Sequence, residues 1–223
     1  DISEVNKIEI IRGPKSLIYE SSSIGGIVNT KVYGNSKFRV DKFNKFFIFG
    51  GETFNESSYG NLNLYIPIND KQINISASNR NSGDQTSPTK SLDNTSSNTS
   101  NYKLGFTKYG NKNYRNFIFE NYEMNYGIPP SIEGHINGVD IKLYKKTFQF
   151  NYHHDILFNG FNQFDMKYNF IDYSHGEFVK NEDYSTVKLG KRTHDFNVEL
   201  KSLYSVIGSK FTFKEFIPSG FYW

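Results

Sequence analysis

Five histidines are the side chains best suited to chemistry in this sequence: His135, His153, His154, His175 and His194. Around His175 runs Asp172-Tyr173-Ser174-His175-Gly176-Glu177, with Glu182 and Asp183 close behind. An imidazole among carboxylates is a donor set for zinc or iron. His135, Asp172, His175 and Glu177 are therefore the candidate metal ligands, and a solvated histidine in a polar loop is the simpler alternative. Catalysis has less to work with. Glu182 and Asp183 are adjacent and point apart in an extended chain, so they make no acid–base pair. A phosphate-cradling loop needs Gly-x-x-x-x-Gly-Lys-[Ser/Thr] after a strand, and that spacing is missing. A nucleophile elbow at Ser23 needs glycine at position 21, where Ser21 stands. No enzyme activity and no cofactor are expected.

The elements that must position these residues are strands. Aromatic residues make up 17% of the chain, yet mean hydropathy is −0.61, so rings and polar side chains are interleaved. Leu62, Leu64, Ile66 and Ile68 alternate with polar neighbours, as do Ile73, Ile75 and Ala77. Asn69-Asp70-Lys71-Gln72 between them is a tight hairpin signal. Further strands are predicted near Phe46, Tyr102 to Tyr109, Tyr114 to Met124, Val139 to His154, Phe164 to Phe170, Phe196 to Leu200 and from Phe211, about nine in all. The long connections are predicted at 81–100, 126–138 and 174–193, so that His135 and the Asp172 to Glu177 run fall at or in loops. Short and long connections alternate, as in up-and-down membrane barrels. No window is long and apolar enough for a spanning helix, which leaves membrane strands open. A net charge of +3, from 26 basic and 23 acidic residues without a basic stripe, gives no footprint for nucleic acid. The absence of cysteine decides nothing about compartment.

One stretch organises the rest. Ile8-Glu-Ile-Ile-Arg-Gly-Pro14 reads as a short strand broken at Gly13-Pro14, Lys15 to Tyr19 fit one helical turn, and Gly25-Gly26 permit a tight turn or a close approach before Ile27-Val28-Asn29 resume an extended run. In order and spacing, Arg12, Gly13, Pro14, Tyr19, Gly25, Gly26 and Asn29 resemble the last part of the plug of TonB-dependent outer-membrane receptors. Glu20 stands where that family usually carries glycine. The resemblance implies an all-β chain: a partial transmembrane antiparallel β-barrel over 35–223, about nine of an expected 22 strands, preceded over 1–34 by the end of an α+β plug. It implies the outer membrane of a Gram-negative bacterium, with the signal peptide, the TonB-contacting segment and most of the plug upstream. The implied partners are the TonB energy-transducing complex, outer-membrane lipid and a scarce small-molecule or metal substrate. A passive porin or adhesin barrel is the alternative, against which the plug-like stretch counts.

Within that resemblance, Tyr126-Gly-Ile-Pro129, Val139-Asp-Ile141 and the Asp172 to Glu177 run are similar to a subgroup that takes up zinc, in which an Asp-Tyr-x-His-x-Glu run recurs. The substrate classes implied are zinc and ferric siderophores. Apolar side chains are expected to meet lipid and polar ones the lumen. Tyr102, Tyr109, Tyr114 and Tyr168 are expected in interfacial girdles. His135 and His175 fall on the outer-loop side, and His153 and His154 near the opposite strand ends.

Overall fold

The computed structural model describes residues 5–13, 25–32, 39–132, 136–180 and 185–220. Pro14, Tyr19, Glu20, His135 and the helical turn expected over Lys15 to Tyr19 lie outside them. The described residues are all-β, without a helix. β1 (Val5–Ile11) and β2 (Ile27–Val32) form a two-stranded antiparallel sheet. β3 (Asn44–Glu52), β4 (Ser57–Ile68), β5 (Lys71–Ser82), β8 (Ser97–Tyr109), β9 (Asn113–Ile128), β10 (Val139–Phe158), β11 (Phe161–Val179), β12 (Val187–Lys201) and β13 (Val206–Gly220) form one nine-stranded sheet. β6 (Gln85–Thr86) and β7 (Ser91–Leu92) make a small hairpin within the β5–β8 connection. Every neighbour in the large sheet is antiparallel, and β3 and β13 are its open edges.

The turns sort by side. At one end, Asn69-Asp70, Gly110 to Lys112, Asn159-Gly160 and Ser202 to Ser205 close tight hairpins. Asn69 (φ 52°) and Asn159 (φ 46°) sit in the left-handed region, where asparagine is among the better tolerated residues. At the other end lie 53–56, 83–96, 129–138 and 180–186. The chain enters β3 at the tight-turn end: Arg39 donates to the Asn69 carbonyl, and the Val40 N–H donates to Gln72 Oε1 at 2.8 Å.

All three long connections are shorter than the sequence suggests, the first because β8 already starts at Ser97. β9 runs on to Ile128, while β11 continues through Ser174 to Val179 and pairs with a β12 that starts at Val187. Toward that end the apolar face of the belt turns polar at Lys146, Lys142, Asp172 and Ser174, while Val139, Ile141 and Leu143 carry apolar side chains on the opposite face, so the alternation inverts while ladder hydrogen bonding continues. Asp172, His175 and Glu177 are therefore strand residues, not loop residues.

Register defines two opposed faces, because successive side chains of a strand point to opposite sides. On one face, Leu64, Ile75, Leu104, Phe119, Phe148, Phe170, His194 and Phe213 stand opposite one another from β4 to β13. The next row is Ile66, Ile73, Phe106, Phe117, Phe150, Tyr168, Phe196 and Phe211. This apolar face is the open one: Phe49 is 77% exposed, Phe119 55% and Leu104 51%. On the other face Asn63, Ser76, Lys103, Glu120, Thr147, Ile171, Thr193 and Lys214 align, and this polar face is the occluded one. Asn63 and Gln72 are fully buried, whereas the buried hydrophobic residues among those described are Ile118, Val139 and Ile141. A water-soluble sheet distributes its side chains the opposite way.

Candidate functional site

The occluded face is built for polar contact. Asn151 Nδ2 donates to Asn116 Oδ1 (3.1 Å), and Asn116 Nδ2 donates to Thr107 Oγ1 (2.8 Å), a ladder across β10, β9 and β8. Glu120 receives Lys103 Nζ at 3.4 Å and Lys145 Nζ at 3.5 Å, one carboxylate held between two ammonium groups. Removal of a buried polar group's partner costs its full desolvation, and pairs such as these offset it over much of this face, although atoms including Thr147 Oγ1 and Asn63 Oδ1 are buried without a hydrogen bond.

Toward the tight-turn end the same face holds its densest charge cluster. Asp165, 5% exposed, accepts from Lys201 Nζ (2.8 Å) and Gln163 Nε2 (2.5 Å), and His153 Nδ1 lies 2.8 Å from its other oxygen. Lys201 also reaches Glu199 at 2.8 Å, and Asn197 Nδ2 donates to Glu199 at 2.8 Å. His153 stacks on Tyr114, 5.1 Å between ring centres, and its Nε2 meets Asp155 Oδ1 at 3.1 Å. Both imidazole nitrogens are thereby engaged by carboxylates. A nucleophile–base pair requires one of them to face a hydroxyl or thiol, so this cluster orders the sheet rather than activating a nucleophile.

Of the candidate metal ligands, His175 and Glu177 share the polar face near its long-connection end, with Nε2 to Oε1 at 3.5 Å and Tyr173 OH 3.3 Å from His175 Nδ1. Asp172 points to the other face, where Arg192 Nε lies 3.8 Å away. Strand geometry forces the separation, because residues an odd number apart alternate sides. Among the described residues no group of three or more His, Cys, Asp or Glu side chains is gathered closely enough to hold a metal ion. His153 is on the polar face, while His154 and His194 point outward, each hydrogen-bonded through Nδ1 to a tyrosine, Tyr152 at 3.0 Å and Tyr168 at 2.9 Å. The tyrosines divide as well: Tyr102 and Tyr168 lie on the apolar face, but Tyr109 and Tyr114 face each other on the polar side. That corrects the expectation of an outward girdle for the latter two, since their parity follows Thr107 and Asn116.

The plug-like residues that are described sit at the β1–β2 sheet. Gly26 has φ +131°, and a Cβ there would lie 2.7 Å from the Ile11 carbonyl oxygen, so both the backbone conformation and the close approach require glycine. Gly13 also has positive φ (+78°); Arg12, like it, follows β1, and Gly25 lies just before Gly26 and β2. Asn29 Nδ2 donates to Glu9 Oε2 at 3.0 Å, across the register pair that joins these two residues. Lys7 at 2.8 Å and Lys31 at 3.0 Å hold the Glu9 carboxyl at a pKa of about 2, well below its ordinary 4.5.

The Asp165 cluster was not visible as a unit in the sequence. Alternation places Asp165 and His153 on polar faces, but only the register brings Asp165 opposite both His153 and Glu199. Comparison with known families finds no family model that matches the chain, and no curated protein matches it.

Proposed function

We propose that this chain is the end of the plug and the first nine strands of the wall of a TonB-dependent outer-membrane receptor, which captures a scarce metal ion or iron–siderophore and imports it actively. The observation that carries this is the inverted distribution of side chains: an exposed apolar face two aromatic rows deep and an occluded face of amides, hydroxyls and paired charges. In water each large apolar side chain left exposed forgoes about 1.5–3 kcal/mol of burial. Against lipid the same arrangement is favourable, and the polar face lines a wet lumen. The sorting of tight turns to one end and long connections to the other fits periplasmic turns and extracellular loops. Missing wall strands fit the two open edges, since an unpaired strand edge in hydrocarbon costs several kcal/mol per backbone group.

The plug-like stretch from Ile8 to Asn29 supports a gated receptor over a passive porin. In this reading the 1–34 segment closes the lumen, TonB supplies the energy, and ligand capture and plug release are two coupled sites. His175 and Glu177, at the long-connection end of the lumen face, are the proposed contacts for a metal substrate, with His135 from the neighbouring connection and Asp172 outside the lumen.

The test is uptake by the complete receptor expressed in an outer membrane, with zinc and a ferric siderophore as labelled substrates. TonB-dependent accumulation of either supports the receptor, and zinc uptake lost in His175→Ala assigns the metal site. Passive, TonB-independent flux of both overturns it.

A further inference from the structure

On the outward face, the row that follows Ile66, Ile73, Phe106 and Phe117 toward the tight turns changes character on three adjacent strands. Lys71 of β5 stands directly opposite Lys108 of β8, and Lys108 directly opposite Arg115 of β9. All three are exposed. Further along the same row, Tyr152, Met166 and Val198 on β10 to β12 carry no charge. The cations are thus gathered beside the turns Asn69-Asp70 and Gly110 to Lys112 rather than spread along the sheet.

Like charges directly opposite one another weaken a ladder, so a row of three cations favours a bound anion. Among the described residues no carboxylate supplies it: Lys71, Lys108 and Arg115 make no ion pair there, and neither does Asp70, the acid next to Lys71 in the chain. Arg115 instead lies over the Tyr152 ring, 5.8 Å from its centre. Arg39, which donates to the Asn69 carbonyl, adds a fourth cation at the first of the two turns. Two strand spacings separate the Cα atoms of Lys71 and Arg115, about 10 Å, so their long side chains and that of Lys108 can reach one phosphate-sized anion. One row away on the same face stand Ile73, Phe106 and Phe117. An anion held by the cations therefore has an apolar surface on one side and the turns on the other.

We propose that this row binds the phosphate of an anionic glycerophospholipid such as phosphatidylglycerol, in the leaflet that meets the tight turns, with its acyl chains over Ile73, Phe106 and Phe117. This rests on the membrane-barrel reading above. Charge complementarity selects an anionic headgroup over a zwitterionic one, whose own ammonium competes with the lysines for the phosphate. The adjoining apolar row selects a lipid over a soluble phosphate or an acidic peptide.

The test takes the complete protein, reconstituted into vesicles of phosphatidylcholine and phosphatidylglycerol in equal parts and then extracted in neutral detergent, and measures retained lipid by native mass spectrometry. Phosphatidylglycerol is expected to be retained in preference to phosphatidylcholine, and Lys71→Gln/Lys108→Gln to weaken that preference roughly twenty-fivefold, about fivefold per cation. Lys71→Arg/Lys108→Arg is expected to keep it, which separates loss of charge from misfolding. Undiminished preference in the glutamine variant overturns the site, as does equal loss in both variants or equal retention of the two lipids by the native protein. Displacement of phosphatidylglycerol by inorganic phosphate or by polyglutamate overturns the lipid as occupant. Flotation of the same vesicles separates the two levels: protein that inserts without preferring phosphatidylglycerol refutes the lipid site only, whereas protein that fails to insert refutes the barrel and the site with it.

Discussion

Leu104→Arg in the complete protein distinguishes a lipid-facing belt from an exposed face in water by the size of its effect. Leu104 is 51% exposed on the outward face of β8, opposite Ile75 on one side and Phe119 on the other, with Tyr102 and Phe106 in the rows beyond. If that face meets water, the substitution trades a half-exposed leucine for a solvated cation, and surface changes of this kind stay within about 0.5 kcal/mol. If it meets hydrocarbon, arginine near the midplane of a membrane strand costs about 2–4 kcal/mol. That corresponds to a shift of roughly thirty- to several-hundredfold in the folding equilibrium, at 1.4 kcal/mol per factor of ten. Leu104→Ala serves as the control for lost packing, since it removes the same contacts without introducing charge. The assay is urea unfolding of the protein folded in the presence of lipid vesicles, followed by tryptophan fluorescence and by gel mobility with and without heating. A change under about 0.5 kcal/mol for the arginine variant, or an arginine effect no larger than that of alanine, refutes the membrane assignment of this face.

Asp165→Asn is expected to destabilise the same protein by about 2–3 kcal/mol, because Lys201 and His153 then face a neutral amide at a 5% exposed site; urea midpoints measure it, and a change below about 0.5 kcal/mol refutes the cluster's role. At Asn69, whose φ is 52°, alanine should cost about 1 kcal/mol and glycine less than half that, compared by the same unfolding curves. Asp84, in the β5–β8 connection, accepts backbone N–H bonds from Thr95 (2.7 Å) and Ser96 (2.8 Å), which hold its carboxyl below the ordinary 3.8 against the opposing effect of desolvation. A lowered folded value means the ionised form stabilises the connection above pH 3.8, and that contribution is lost as pH falls through the lowered value. Amide exchange at Thr95 and Ser96 should lose its protection over that acid range in the native protein, and Asp84→Asn should remove the pH dependence; unchanged protection in acid refutes the capping role.

The sequence by itself determined the all-β class, the approximate number of strands and the sorting of turns, because period-2 alternation and asparagine–glycine turns are local signals that each segment carries alone. Gly26 was legible for the same reason, a glycine pair ahead of an extended run. What alternation could not supply was extent and partnership. Beyond the apolar belt the alternation of β9 to β12 changes face and polar residues interrupt it, so the strands continue where the belt pattern stops, and His175 and Glu177 pass from a predicted loop into β11. Register then decided the rest, since cross-strand neighbours lie about 4.5–5.5 Å apart in space yet many residues apart in the chain. It assembled Asp165 with His153, Lys201 and Glu199, whereas parity along each strand, once its extent was fixed, divided Asp172 from His175 and turned Tyr109 and Tyr114 to the polar side. It also left the apolar side open and the polar side occluded: alternation marks two faces, but only the folded sheet determines which of them is enclosed.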